Sequence, residues 1–146
     1  MRAVLPPDPC PYCSAEVLWK PESGFIYGGR DYGPVWVCSD HPRCDAYVGC
    51  HRREPRSPKG RLADPELRFW KRAAHGAFDP LWRRDRSSRD ARSRGYAWMA
   101  KALELEPCDA HIGHFDVELC QRLIRICIPY LSRAQVRTLN LPRGWA

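Results

Sequence analysis

Four cysteines in two pairs constrain the first third of this chain more than any other feature. Cys10-Pro11-Tyr12-Cys13 comes first, and Cys38-Ser39-Asp40-His41-Pro42-Arg43-Cys44 follows after 24 intervening residues. Two cysteines separated by two residues allow a tight turn that aims both sulfurs at one point. The five-residue gap of the second pair makes a wider knuckle. A segment of about fifty residues cannot bury enough apolar surface to hold itself together, so it needs a metal or disulfides. The N-terminus, Met1-Arg2-Ala3-Val4-Leu5-Pro6-Pro7, lacks the apolar stretch of a secretory signal. No apolar run approaches the ~20 residues of a membrane span. The expectation is a cytoplasmic protein with reduced thiols, in which Cys10, Cys13, Cys38 and Cys44 hold one structural Zn2+ per chain. Cys50 and His41 are alternatives to Cys44 as the fourth ligand.

Between and beyond the pairs, Ala15–Lys20, Phe25–Gly28, Pro34–Cys38 and Ala46–Cys50 are short runs of Val, Trp, Tyr and Ile with strand character. Pro21, Gly24, Gly28-Gly29 and Gly33-Pro34 punctuate them as turns. From Asp64 the apolar spacing becomes helical. Asp64 caps, Pro65 suits the first turn, and Leu67, Trp70, Ala74 and Phe78 recur on one face. Asp79-Pro80 is expected to break that helix. Ser87 and Asp90 have capping-box spacing for a helix running to about Leu105 and closed by Pro107. Asp116 caps the next helix, which carries Leu119, Cys120, Leu123, Cys127 and Leu131 on one face and meets Pro129 at its end. Ser132 and Gln135 begin a last short one. The fold class is α+β: a zinc β-ribbon over 1–51, a basic linker over 52–63, and three or four helices over 64–146. Leu67, Trp70, Phe78, Leu81, Trp82, Tyr96, Leu103, Phe115, Leu119, Leu123 and Cys127 are its expected core.

The formal net charge of +7 is unevenly placed. Residues 1–51 hold four basic and six acidic side chains, a net −2. Residues 52–94 hold fourteen and six, a net +8, and residues 95–146 hold six and five, a net +1. A polyanion is therefore drawn to the middle of the chain. Arg52, Arg53, Arg56, Lys59 and Arg61 form one cluster; Arg83, Arg84, Arg86, Arg89, Arg92 and Arg94 form a second within the segment 83–94. Arginine forks suit phosphate. The aromatic residues Trp19, Phe25, Tyr27, Tyr32, Trp36 and Tyr47 can stack on unpaired bases, although strand packing claims at least half of them. Trp36 and Tyr27 are the chosen candidates. A solvated charged face is the alternative for the arginines.

The segment Cys10–Cys44, with Trp36-Val37-Cys38-Ser39 and Pro42-Arg43-Cys44, resembles the four-cysteine ribbons at the C-terminal end of type IA topoisomerases. That resemblance implies contact with single-stranded DNA. A longer one rests on Cys44–His51, Gly60-Arg61-Leu62-Ala63-Asp64, Ala73-Ala74-His75, Phe78-Asp79-Pro80-Leu81-Trp82, Tyr96-Ala97-Trp98, His111-Ile112-Gly113 and Phe115-Asp116. These stretches look like a zinc-finger-containing family of phage and bacterial proteins. The resemblance implies a ribbon-plus-helices layout and a phage or prophage origin, and it carries no reaction with it. The chain departs from the pattern in its Arg-rich 83–94 segment and at His114, where an apolar residue is expected.

Cys108, His111, His114 and Cys120 form a candidate second metal cluster with gaps of two, two and five residues. The alternative is that His111 bonds a helix end while Cys120 and Cys127 fill the core. His75 and Asp79, four apart, either pair with each other or join a hydrolytic metal site. No Ser-His-Asp order, Gly-rich phosphate loop or pair of carboxylates in an apolar setting is present. The leading expectation is a zinc-binding, non-enzymatic accessory protein that contacts nucleic acid, as single-stranded or distorted DNA, through its arginines. Its alternative is a protein-interaction module that docks on a host machine such as a polymerase or defence nuclease. A metal-dependent hydrolase stands third.

Overall fold

A computed structural model describes residues 8–84 and 89–145. The chain divides into two compact units, Met1–Arg68 and Phe69–Ala146.

The first unit is built on a three-stranded antiparallel sheet of β1 (Val17–Lys20), β2 (Val35–Cys38) and β3 (Tyr47–Gly49), in that order. Val17 opposes Cys38, Trp19 opposes Trp36, and Trp36 opposes Val48, so these five side chains share one face. That face closes over a small core in which Cys10, Val17, Cys38, Ala46, Val48 and Leu62 are buried together. Tyr47 and Val37 belong to the other face.

Two expectations for this unit change. Phe25–Gly28 has strand composition yet forms turns. The Gly29 amide bonds the Gly24 carbonyl at 2.7 Å, with Gly28 and Gly29 both at positive φ. The Asp31 carboxylate then collects the amides of Ser23 and Gly33 at 3.1 and 2.8 Å. Turn chemistry outweighs a three-residue apolar run. Residues 52–63 are not a linker. Leu62 is 0% exposed, and Pro58 and Ala63 are buried with it. Tyr47 and Ala63 exchange both backbone hydrogen bonds, at 3.1 and 3.0 Å, and Cys50 bridges to Pro58. This segment therefore covers the open edge of β3, which removes a row of unpaired backbone groups. Its few apolar residues are the ones that anchor it, and an average over its charge hides them.

The helical elements are α1 (Pro65–Arg83), α2 (Ala91–Ala102), α3 (Val117–Cys127) and α4 (Arg133–Thr138). The predicted caps at Asp64, Asp116 and Ser132 all form. The Leu67 amide donates to Asp64 at 2.9 Å, Leu119 to Asp116 at 2.9 Å, and Ser132 and Gln135 make a reciprocal capping box. On α1, Leu67, Trp70, Ala74 and Phe78 are buried as expected, with Ala73 and Ala77 beside them. Pro80 does not end this helix, which continues to Arg83. Proline forfeits one intrahelical bond. Across it, the Asp79 carboxylate joins His75 at 3.3 Å behind and the Trp82 indole at 3.2 Å ahead, which ties the flanking turns together.

Helix α2 starts three residues later than a Ser87 cap implies. Asp90 is its N-cap and makes no side-chain capping bond, while Ser87 lies outside the described residues. It stops at Ala102 rather than Leu105, because Glu104 turns left-handed at φ 57° and the Leu105 amide closes back on the Ala100 carbonyl. Cys120, Leu123, Ile124 and Cys127 form the buried stripe of α3, and Phe78, Met99, Leu103, Ile112 and Phe115 are buried elsewhere in this unit. Leu81, Trp82, Tyr96 and Leu119 are only half-buried. Among the described residues no helix is long and apolar enough to cross a membrane.

Candidate metal centre

Local backbone geometry builds the cysteine site before any ion is considered. After Cys10 the Ser14 amide bonds back to the Cys10 carbonyl at 2.9 Å, and the Cys10 amide bonds the Ala15 carbonyl at 2.8 Å. Ser14 sits at φ 66°, the left-handed turn that lets the chain leave the knuckle. The second knuckle is one compact turn despite its longer gap. His41 donates to the Cys38 carbonyl at 3.0 Å, Cys44 to Asp40 at 3.1 Å, and Ala46 to Cys44 at 2.9 Å. The Asp40 amide points at the Cys38 sulfur, 3.4 Å away. Strand β2 delivers Cys38 to this point, and its amide bonds Ala46 at 3.0 Å.

The four Sγ atoms of Cys10, Cys13, Cys38 and Cys44 lie within 4.8 Å of one another. Cys10 and Cys44 are 3.7 Å apart, and Cys13 and Cys38 are 3.4 Å apart. A tetrahedral zinc with bonds of about 2.3 Å requires sulfurs roughly 3.8 Å apart. The set therefore fits the ion in number, donor type and spacing, and this is a zinc site of the closed, structural kind. Without an ion, burial pushes the Cys44 and Cys38 thiols up, and the Ala15 amide and then Cys38 pull Cys13 down. Zinc must displace the protons of the raised thiols, so its affinity weakens on acidification.

The two alternative ligands are engaged elsewhere. His41 pairs with Asp45 at 3.4 Å, and its ring stands edge-on to Phe25 and Tyr47. Cys50 is buried beside the Pro58 bridge. Cys44 is the fourth thiol. The second cluster is not assembled: among the described residues, the only ligand group is the one at Cys10, Cys13, Cys38 and Cys44. Cys120 is turned into the core of the second unit, where burial pushes its thiol up to about 12, and Cys108 is exposed. His111 and His114 meet each other ring to ring at 5.5 Å, and His111 also meets Tyr96. His75 and Asp79 form a pair and gather no third ligand group among the described residues. Burial pushes the Asp79 carboxyl up, but the His75 and Trp82 bonds and the Arg83 charge outweigh it and hold it low.

The candidate nucleic-acid residues separate into displayed and occupied ones. Arg52, Arg53, Lys59, Arg83, Arg84, Arg89 and Arg92 are exposed. Arg86 lies outside the described residues. Arg56 stacks over the Trp19 ring at 4.3 Å. Trp36 is half-buried, and its indole donates to the Arg56 carbonyl at 2.9 Å. Trp19 does the same to Pro55 at 2.8 Å. Tyr27 is displayed. It belongs to a run of edge-on rings, Phe25–His41–Tyr47–Tyr27–Tyr32, with spacings of 5.7, 6.4, 5.9 and 4.9 Å. Arg68, which sequence reasoning passed over, holds this run. It lies over Tyr47 at 4.2 Å and bonds the Asp45 carboxylate at 2.7 Å. Nothing in the local sequence marks it, since its partners come from another loop.

No curated protein and no solved structure matches this chain. A family model described as a zinc-finger-containing domain matches residues 6–130, which takes in the whole thiol site and all of α1, α2 and α3. With that match added to a tetrad of thiols at zinc spacing, the chain belongs to the zinc-finger-containing domain family.

Proposed function

We propose that this zinc protein is a non-enzymatic accessory factor, of phage or prophage type, that binds single-stranded or distorted DNA. The observation that carries the reading is the ring run on the first unit. Tyr32 is 65% exposed and Phe25 54%, with Tyr27 between them, and exposed rings in series suit stacking on successive unpaired bases. The exposed arginines supply phosphate contacts, and counterion release then makes binding fall steeply with salt. The test is fluorescence anisotropy of a labelled single-stranded oligonucleotide with zinc-loaded protein. Affinity is expected to drop at least tenfold between 50 and 200 mM salt (on the order of 10³ for six phosphate contacts). Replacing Tyr27 and Tyr32 together by Ala is expected to weaken it about tenfold or more. No binding at low salt overturns the reading.

One observation favours docking on a host protein instead. The rings all lie within residues 1–51, a stretch that is itself net acidic, and aromatic residues are enriched at protein interfaces. Absence of oligonucleotide binding, with specific capture of a polymerase or nuclease that Tyr27→Ala abolishes, favours that second reading.

A further inference from the structure

The second unit holds a cavity of about 350 Å³ that the ribbon reading does not use. Its floor is Phe78, fully buried on α1, and its walls are Trp82, Trp98 and Tyr130. Trp98 and Tyr130 stand edge to face at 6.1 Å, both half-buried or more exposed, and Tyr130 is 56% exposed. Among the described residues, the two charged ones that line it are both arginines, Arg84 and Arg94. Arg84 donates to the Tyr130 carbonyl, which fixes a guanidinium beside the rings. Arg92 lies 5.9 Å from the Trp82 ring and adds a third cation nearby. Gly95 explains how the cavity is shaped. A Cβ there would stand 2.9 Å from Cβ of Trp82, so only glycine lets α2 pass close enough to leave Trp82 as a wall.

A concave site with apolar rings below and forked cations beside them matches a planar heterocycle that carries an anion. Among the described lining residues there is no carboxylate, so an anionic ligand meets no like charge from them. We infer that this cavity takes one unpaired nucleotide of a bound strand, its base against Trp98 and Tyr130 and its phosphate on Arg84 and Arg94. The inference rests on the nucleic-acid reading above and adds to it a second contact point in the other unit. It also gives two arginines of the 83–94 segment, Arg84 and Arg94, a purpose beyond bulk attraction: they line a base-sized site.

Zinc-loaded full-length protein is mixed with a short oligodeoxythymidine carrying one 5-iododeoxyuridine, irradiated, and mapped by peptide mass spectrometry. Adducts on Trp82, Trp98 or Tyr130 support the inference. Adducts confined to Tyr27, Tyr32 or Phe25 overturn it and leave the ribbon reading standing. Adducts at the cavity alone support it and overturn the ribbon's share. Trp98→Leu, which keeps an apolar side chain, is expected to weaken oligonucleotide binding about tenfold with zinc content and melting temperature unchanged; unchanged affinity overturns the inference. Thymidine monophosphate separates a free nucleotide from a strand. Saturable binding lost in Trp98→Leu names the free nucleotide as an occupant, and binding of the strand alone names the strand. Binding of neither overturns the inference.

Discussion

Removing zinc should unfold the first unit and spare the second. The sheet buries few aliphatic side chains: Val17, Ala46, Val48 and Leu62 on one face beside two of the zinc ligands, and Val35 and Val37 on the other. At roughly 2 kcal/mol each, full burial of the four valines and Leu62 contributes about 10 kcal/mol before any ordering cost. A structural zinc contributes about 10–16 kcal/mol in small zinc-finger peptides, more than the whole stability of many domains. The ion's contribution is thus at least as large as that of these side chains together, and the ordering cost leaves their burial unable to hold the unit alone. The assay is amide hydrogen exchange read by mass spectrometry, before and after a strong chelator, with native mass confirming loss of one zinc. Amides of β1 and β2, Val17–Lys20 and Val35–Cys38, should lose their protection by several orders of magnitude. Amides of α3, Val117–Cys127, should keep theirs. Retained protection in β1 and β2 with the metal shown to be gone refutes the reasoning, because it would mean apolar packing alone carries the sheet.

Two further outcomes follow from the same geometry. Leu62→Ala should cost the first unit about 3 kcal/mol, seen as a lower zinc affinity and a lower melting temperature, since Leu62 is fully buried; a change under about 0.5 kcal/mol would mean the 52–63 segment lies loose. Asp79→Asn should destabilise the second unit by about 1 kcal/mol or less at neutral pH, because His75 is half exposed and water screens the pair. The sign in pH is set by the lowered Asp79 carboxyl: its contribution is full above the ordinary value of 3.8 and disappears as pH falls through the depressed folded value. Urea midpoints of the two proteins should therefore converge on acidification below 3.8, and parallel curves would discard the pair as a source of stability.

What the sequence discloses is whatever a few neighbouring residues decide among themselves. The knuckle of Cys10 and Cys13 is such a case, as are the caps at Asp64, Asp116 and Ser132, and these stand in the structure; of the expected stripe on α3, Cys120, Leu123 and Cys127 are buried, while Leu119 is half-buried and Leu131 lies beyond the helix. What it conceals depends on partners from elsewhere in the chain. Leu62 and Pro58 sit in a stretch of arginine and serine, and their burial follows from an open strand edge that no local pattern announces. Phe25–Gly28 has strand composition, and Asp31, several residues away, bends it into turns. Cys108, His111, His114 and Cys120 have ligand types at ligand spacing, but Cys120 faces inward on the buried side of α3. Trp36 is aromatic and half-buried, yet its indole N–H is committed to a carbonyl.

The two indole bonds have a consequence for supply as well as for shape. Trp19 and Trp36 sit on strands ordered by the ion, and together they pin the backbone at Pro55 and Arg56 between Arg52, Arg53 and Lys59. The chain's total charge is the same whether or not metal is loaded, but only the loaded form arranges these cations in fixed positions. Without zinc the chain would therefore still be a polycation, attracted to any acidic polymer, but one that holds these cations in no fixed arrangement.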